Sequence, residues 1–575
     1  MAKNKALPWA WLDDYRGKAF EGQWPSVTEL FAINAERFKD NNLFLSFAPK
    51  KQVFTYGEAY KKILEIADYL IENGVKKGDK IGVSGKNSPE WAISYLAVLF
   101  SGAPVVPLDY ALHDHEMEKL ISFGGVTRLF IDGERIESID KFNTLGLVEK
   151  ISLEEKSNGY KYALDLVGAK NESYPKWDGE DVAAILFTSG TTGTPKGVQL
   201  TNNNLVSDCF RAQCYMTLYP TDVFYVILPI HHAYTMLAVF YETFSVGASC
   251  VFGKKLVVTQ ILKDLKLGKV TMFLAVPMLF NKLLAALMDG VRKQGKFKYG
   301  LIKTLMAISG FIKKVFNVNI GKKLFGKMLL SKLSLDTNRI CISGGGPLPA
   351  STFKQFNQLG IDFVQGYGLT ETSPITHLNP IDAYEETSVG KLLPGLEQKI
   401  VDPDDEGNGV LHIRGSVVMK GYYNNPEATA EVLDADGWLN TGDVGHIDSR
   451  GYFYITGRSK SVIVTEGGKN VFPEEIEDLF QLYSEIDQVC IISYLVDKEK
   501  KSEGIRCLLY PAKKFSDENS KEAVEKRMNE IVDEVNKNLQ SYKKITMTTV
   551  IDEPMEMTST KKIKRFVVAK KYELK

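Results

Sequence analysis

A chain of 575 residues is long enough for several hydrophobic cores at roughly 100–200 residues per domain, and its 44% hydrophobic and 25% charged content excludes a wholly disordered polymer. Lysine plus arginine (71) balances aspartate plus glutamate (71), so the overall charge gives no reason to expect nucleic acid as a partner. Six cysteines (Cys209, Cys214, Cys250, Cys341, Cys490, Cys507), none in CxxC spacing, exclude a disulfide framework and fit a reducing cytosol.

The first residues, MAKNKALPWAWLDDY, carry no apolar stretch before Asp13 and Asp14, so a cleaved leader is not expected. Glu58 to Asn73 has amphipathic helical spacing, Lys80–Ser84 is β-prone, Pro89–Phe100 is an apolar helix and Pro104–Leu108 a strand. The longest uncharged run, Trp91 to Leu108, contains Gly102, Pro104 and Pro107, which makes it helix, turn and strand rather than a membrane span. This alternation predicts an α/β fold of parallel-type sheets flanked by helices. No solenoid period is present.

Val182–Phe187, another β-prone run, leads into Thr188-Ser189-Gly190-Thr191-Thr192-Gly193-Thr194-Pro195-Lys196-Gly197. Small residues let backbone N–H groups approach an anion, hydroxyls add donors, and Lys196 supplies charge, so polyphosphate is the natural ligand. Gly197 after the lysine and the glycine spacing rule out a Walker loop, and the kinase glycine loop does not fit either. The stretch LFTSGTTGTPKGVQLT resembles the phosphate loop of the adenylate-forming superfamily, which includes acyl-CoA synthetases, luciferases and peptide-synthetase adenylation domains.

Further motifs follow in the order that this resemblance requires. Leu228-Pro229-Ile230-His231-His232-Ala233-Tyr234 is similar to the segment whose histidine lies near the substrate carboxylate, with His232 in that position. Adjacent histidines with no third His or Cys nearby are poor zinc spacing, so a packed, gate-like His232 is expected. Ser343-Gly344-Gly345-Gly346-Pro347-Leu348 and Gln365-Gly366-Tyr367-Gly368-Leu369-Thr370-Glu371 follow apolar runs; glycines beside a strand end let a flat ring approach the backbone. By resemblance Tyr367 stacks on adenine, Thr370 contacts the α-phosphate, and Glu371 with Thr188 holds Mg²⁺. Asp443 and Arg458 lie in two further signatures and would bind the ribose, and the hinge falls at Lys460. Gly467-Gly468 resembles the loop lining the pantetheine tunnel, although Lys469 stands where many relatives carry Glu. In the tail, Lys561 and Lys562 compete for the role of adenylation lysine; neighbours on an extended segment point to opposite sides, and the register of Ile563 and Arg565 favours Lys562.

The resemblance spans roughly residue 50 to the C-terminus. It implies a large AMP-binding domain (1–459) with a β-subdomain, a small mobile α+β domain (460–575), and ATP- and Mg²⁺-dependent activation of a carboxylic acid followed by transfer to coenzyme A. The excursion over residues 285–335, which short-chain and aryl-activating relatives lack, points to a long-chain fatty acid. Medium-chain, aryl and polyketide-type acids stay open, as does acyl carrier protein as acceptor. Within the excursion, residues 292–332 hold eleven Lys/Arg and no Asp/Glu, interleaved with Phe297, Leu301, Leu305, Ile308, Phe311, Ile312, Val315 and Phe316. Two readings stand: a basic amphipathic helix on an anionic membrane surface, or a helix whose apolar face packs on its own domain. A noncatalytic membrane scaffold would explain this stretch but not the ordered motifs. The expected location is the cytoplasm, at the inner face of the membrane if the helix binds lipid; the sequence gives no oligomeric state.

Overall fold

The computed structural model describes residues 8–142, 146–155, 159–188, 196–254, 256–464, 469–497, 502–558 and 562–572. Helix starts are written into the sequence. Ser26 with Glu29 and Thr55 with Glu58 form capping boxes at the helices Val27–Arg37 and Tyr56–Glu72, while Pro89 and Pro277 occupy first-turn positions of Pro89–Phe100 and Pro277–Arg292.

Two mainly parallel sheets organise the large domain, as the α/β expectation requires. One runs through Ile375–Leu378, Asp362–Gly368, Ile340–Ser343, Met272–Ala275, Val223–Val226, Ser249–Phe252 and Asn42–Ser46, with antiparallel strands only at its edges. The other orders Lys196–Thr201, Val182–Thr188, Val105–Leu108, Lys80–Ser84, Val126–Ile131 and Glu149–Ser152, the first of these antiparallel. The helix Pro89–Phe100 is buried along its whole length, which explains why its sequence is apolar all round. A four-stranded antiparallel sheet, Glu397–Val401, Gly409–Arg414, Leu439–Ile447 and Phe453–Arg458, forms the β-subdomain.

Beyond it, Ile486–Asp497, Ser502–Pro511 and Met547–Val550 make a three-stranded sheet. Buried residues from Ile463 to Ile545, including Val524, Met528 and Ile531 of the helix Lys521–Asn536, form a core of their own. That helix ends at Asn536, whose side chain pairs with both backbone groups of the returning Ile545 (3.0 and 2.8 Å).

The basic stretch folds as a helix over Lys296–Phe316 with two different faces. Ile302, Met306, Ser309 and Lys313 are buried against the domain, and the Lys313 ammonium donates to Asp362 (2.7 Å), Asn357 (2.8 Å) and the Ile361 carbonyl (3.1 Å). Phe297, Leu301, Ile308, Phe311 and Val315 lie in the open, and at 3.6 residues per turn they fall within an arc of roughly 80°. Packing on the parent domain therefore accounts for one face and leaves a second apolar stripe uncovered. Among the described residues, no helix is long and apolar enough to cross a membrane.

Candidate active site

The chemistry-bearing residues gather beyond the carboxyl ends of the parallel strands, where open α/β sheets receive ligands. Asp109 follows Val105–Leu108, His231 and His232 follow Val223–Val226, Gly344 to Gly346 follow Ile340–Ser343, and Tyr367 to Glu371 end Asp362–Gly368.

At one end, Thr188 and Lys196 are cross-strand partners on the two strands that flank the Gly/Thr-rich loop. Ser189, Gly190, Thr191, Thr192 and Gly193 lie outside the described residues. The Lys196 ammonium sits over the Tyr422 ring, 4.7 Å from its centre, a cation–π contact. The Tyr422 hydroxyl donates to Glu371 Oε1 at 2.8 Å. Burial, with Glu371 beside it, raises the Tyr422 phenol well above its ordinary value, so it remains a donor. Tyr422 thus joins the loop lysine to the carboxylate expected to hold a metal, and Thr370 precedes that carboxylate in one short 3₁₀ turn, Thr370–Thr372. Glu371 and Thr188 offer hard oxygen ligands, the set that suits Mg²⁺.

At the other end, Asp443 and Arg458 face each other across adjacent antiparallel strands, with Arg458 Nε 2.9 Å from Asp443 Oδ1. Tyr367 donates its hydroxyl to Asp443 Oδ2 at 2.6 Å, and its ring lies 5.7 Å from those of His377 and Phe453. Asp443, despite burial, is therefore paired on both oxygens. Its charge is the chief reason that Arg458 lies above the ordinary guanidinium value, against the opposing effect of burial.

The glycines serve more than ligand access. A Cβ on Gly368 would lie 1.6 Å from the Pro374 carbonyl oxygen, so the antiparallel neighbouring segment requires glycine there, whereas one on Gly366 would meet the His377 carbonyl oxygen at 3.2 Å, tight but not forbidden. Gly344 is overlain by the Tyr234 ring, and Gly345 has φ of +81°. Gly345 and Gly346 both have nothing nearer a Cβ than 3.8 Å, and of the two only Gly346 lacks a positive φ. It is the glycine that suits the approach of a flat ligand.

Lys460 is exposed on the 3₁₀ turn Ser459–Ser461, directly after the Asp443–Arg458 hairpin. Gly467 and Gly468 lie outside the described residues, as does Lys561. Lys562 is described: its backbone bonds Thr558 in both directions (2.8 and 3.1 Å), and Met557 and Ile563 pair across the same narrow hairpin. Water still reaches its side chain, but protein crowds it enough that desolvation is the main reason its ammonium lies below the ordinary lysine value. Arg458 adds repulsion and Asp443 opposes. Arg565 fixes this hairpin to the small domain, donating to Glu477 (2.5 and 2.9 Å), Glu474 (3.0 Å) and the Ile491 carbonyl (2.6 Å).

The loop carrying the histidines is stapled by Asn87, whose amide donates to the carbonyls of Val226, Leu228 and Gly253 and accepts from Ile230 N. His232 is half-buried and its ring lies 4.1 Å from that of His231. Burial, then the neighbouring His231, and Lys562 all push His232 toward the neutral form; Asp109 pulls the other way. Sequence reasoning missed Asp109, Asn87 and Tyr422. A polar residue placed directly after a predicted parallel strand was the available signal for Asp109; Tyr422 had none, because its role depends on pairing with the strand of Lys196.

This chain belongs to the AMP-binding enzyme family: that family matches residues 31–423, and the AMP-binding enzyme C-terminal domain matches residues 460–575. Among curated proteins, it is 28% identical to a long-chain-fatty-acid–CoA ligase of Bacillus subtilis over 81% of this chain and 82% of that one. It is 27% identical to a chloroplastic long-chain-fatty-acid–acyl-carrier-protein ligase of Arabidopsis thaliana over 96% of this chain and 86% of that one. Among solved structures, ATP-bound MatB from Rhodopseudomonas palustris superposes with a TM-score of 0.76 at 24% identity, covering 95% of this chain and 99% of that one. The o-succinylbenzoate coenzyme A synthetase of Bacillus subtilis with ATP and magnesium gives 0.72 at 22% identity, covering 93% and 98%. These two likenesses concern the fold.

Proposed function

We propose that this protein activates a long-chain fatty acid as its acyl-adenylate at the expense of ATP and transfers the acyl group to coenzyme A. The observation that carries this reading is the convergence of two clusters on one cleft: Lys196, Tyr422 and Glu371 at one end, Tyr367, Asp443 and Arg458 at the other, with Lys562 delivered from the small domain. In the first half-reaction a carboxylate oxygen attacks the α-phosphorus of ATP, a P–O bond forms, and the bond to pyrophosphate breaks. Lys196 and the 188–196 loop take the β- and γ-phosphate charge, and Lys562 meets the negative charge that grows on the α-phosphate. Glu371 and Thr188 would hold Mg²⁺, which would supply further neutralisation when bound. Asp443 and Arg458 hold the ribose, Tyr367 lies against the adenine, and Thr370 reaches the α-phosphate. His232, kept neutral, sits beside the incoming carboxylate without adding a competing charge.

In the second half-reaction a thiolate attacks the acyl carbon and AMP leaves. We place the domain boundary between residues 459 and 460, with Lys460 absorbing the rotation that withdraws Lys562 and brings Gly467-Gly468 to the pantetheine arm. The names of the Bacillus and Arabidopsis relatives support a long-chain acid and leave CoA and acyl carrier protein both represented among acceptors. Pyrophosphate release over a series of acid chain lengths, followed by transfer to each acceptor, tests this: long-chain acids and CoA should give the highest kcat/KM. Preference for a short or aryl acid, or for the carrier protein, would replace that half of the reading.

The uncovered stripe on Lys296–Phe316 supports a peripheral seat on an anionic membrane. Phe297, Phe311 and Phe316 are 86%, 63% and 64% exposed, no Asp or Glu occurs from 292 to 332, and Lys296, Lys298 and Lys314 flank the stripe. Such a helix lies in the interface by apolar burial plus attraction of about 1 kcal/mol per basic residue. Co-sedimentation with phosphatidylserine-containing vesicles at low salt should retain the protein, and Phe297→Ser with Phe311→Ser should release it. Absence of binding by the unaltered chain would remove the membrane seat and leave the catalytic reading untouched.

A further inference from the structure

His231 is one of the chain's unexplained polar groups. It is 6% exposed, and neither ring nitrogen has a hydrogen-bond partner. Burying an imidazole with both nitrogens unsatisfied carries a desolvation cost, so the ring is expected to serve something. Its Nε2 lies 3.6 Å from Asp109 Oδ2, too far for a hydrogen bond. The adjacent His232 ring completes a group in which one ligand atom from each of Asp109, His231 and His232 lies within 4.8 Å of the others.

The turn after Pro229 is what makes this possible. Consecutive residues on an extended strand point apart, whereas here the His232 N–H closes back on the Pro229 carbonyl at 3.2 Å, and both rings meet on one side, tilted by 46°. Asn87 locks the approach to that turn with three donated bonds and one accepted bond. Asp109 arrives from the other sheet, at the end of Val105–Leu108.

We infer that Asp109, His231 and His232 form a binding site for a zinc-class transition-metal ion. Two imidazole nitrogens and one carboxylate oxygen are the three-ligand set that leaves a fourth position open, and they select Zn²⁺ or Co²⁺ over the oxygen-bound Mg²⁺ and Ca²⁺. At zinc–nitrogen and zinc–oxygen bonds of about 2.0–2.1 Å, the edge of a tetrahedron is about 3.4 Å. The His231–Asp109 separation of 3.6 Å already lies near that edge, and the remaining pairs, within 4.8 Å, need to draw in by at most about 1.4 Å. His231 closes the back of the site, while Asp109 and His232 are partly exposed and give the ion its way in.

The site has a consequence for its neighbour. Lys562 lies close enough to His232 to disfavour positive charge there, so a divalent ion at these three residues and the ammonium of Lys562 repel one another. Occupancy by zinc therefore opposes the placement of Lys562 and makes the protein sensitive to free Zn²⁺ at an ion site separate from Glu371 and Thr188. Metal binding itself does not depend on the acid-activation reading and is measured without nucleotide.

Titration of the full chain with Co²⁺, in the absence of ATP, should give the intense visible bands of four- or five-coordinate cobalt at one ion per chain, without the near-ultraviolet band of thiolate ligation. Zn²⁺ should displace the cobalt. Asp109→Asn and His231→Gln, each checked for retained fold by circular dichroism, should weaken binding about tenfold or more, and Lys562→Ala should tighten it. A cobalt spectrum that stays octahedral throughout the titration of the unaltered chain overturns the proposal, whatever the variants do; so does binding that both variants leave unchanged.

Discussion

Lys562→Ala is expected to lower the rate of acyl-adenylate formation by about 10²–10³, the usual loss when one group that meets developing transition-state charge is removed. Lys562 comes from a narrow hairpin whose ends are fixed by Met557 and Ile563, and its ammonium is close enough to Arg458, Asp443 and His232 for each pair to interact electrostatically. Thiolation of a supplied acyl-adenylate should continue at nearly the unaltered rate, because the proposed rotation withdraws the lysine for that step. Single-turnover measurement of the two half-reactions checks the division. An equal fall in both would assign Lys562 to general stability or nucleotide binding instead.

Arg565→Ala is the second large effect. Its guanidinium satisfies both oxygens of Glu477, one of Glu474 and the Ile491 carbonyl, and these side chains are mostly shielded from water. Burial raises the Glu477 carboxyl above its ordinary value, and Arg565 is the main force holding it down. Truncation leaves two crowded carboxylates without their cation, a loss of about 3 kcal/mol in the small domain. Hydrogen exchange should rise across Pro473–Glu477 and the strand Ile486–Asp497. Because Arg565 lies three residues beyond Lys562, kcat for adenylation should also fall, with little change in the KM for ATP. Arg565→Lys should recover part of both, since one ammonium cannot reach all four acceptors. If exchange rose while adenylation held steady, Arg565 would stabilise the domain without positioning the lysine.

The legible parts of this protein were those encoded locally. Lys80–Ser84 and Pro89–Phe100 begin and end where alternation, Pro89 and the Ser88 cap place them, and the ordered glycine motifs disclosed the adenylate-forming resemblance before any contact was known. What stayed hidden depends on segments far apart in the chain. Tyr422 reaches Glu371 only because residues 421–422 add to the sheet beside Lys196–Thr201, and Asp109 meets His231 only where the two sheets end together. The glycines show a subtler limit: Gly366 and Gly368 fall in the expected ligand motif, yet at Gly368 the backbone of the neighbouring segment, at Pro374, already forbids a side chain. The basic excursion was ambiguous because its apolar residues belong to two faces of one helix, and periodicity alone does not say which face finds a partner.

The central claim is that a carboxylic acid reacts with ATP at this cleft. Acid-dependent exchange of labelled pyrophosphate into ATP measures that step without reference to the acceptor. The unaltered protein should show no exchange with ATP and Mg²⁺ alone and clear exchange once a long-chain fatty acid is added, lost again in Lys562→Ala. Absence of exchange with every acid offered, from a folded protein that binds ATP, would contradict the account.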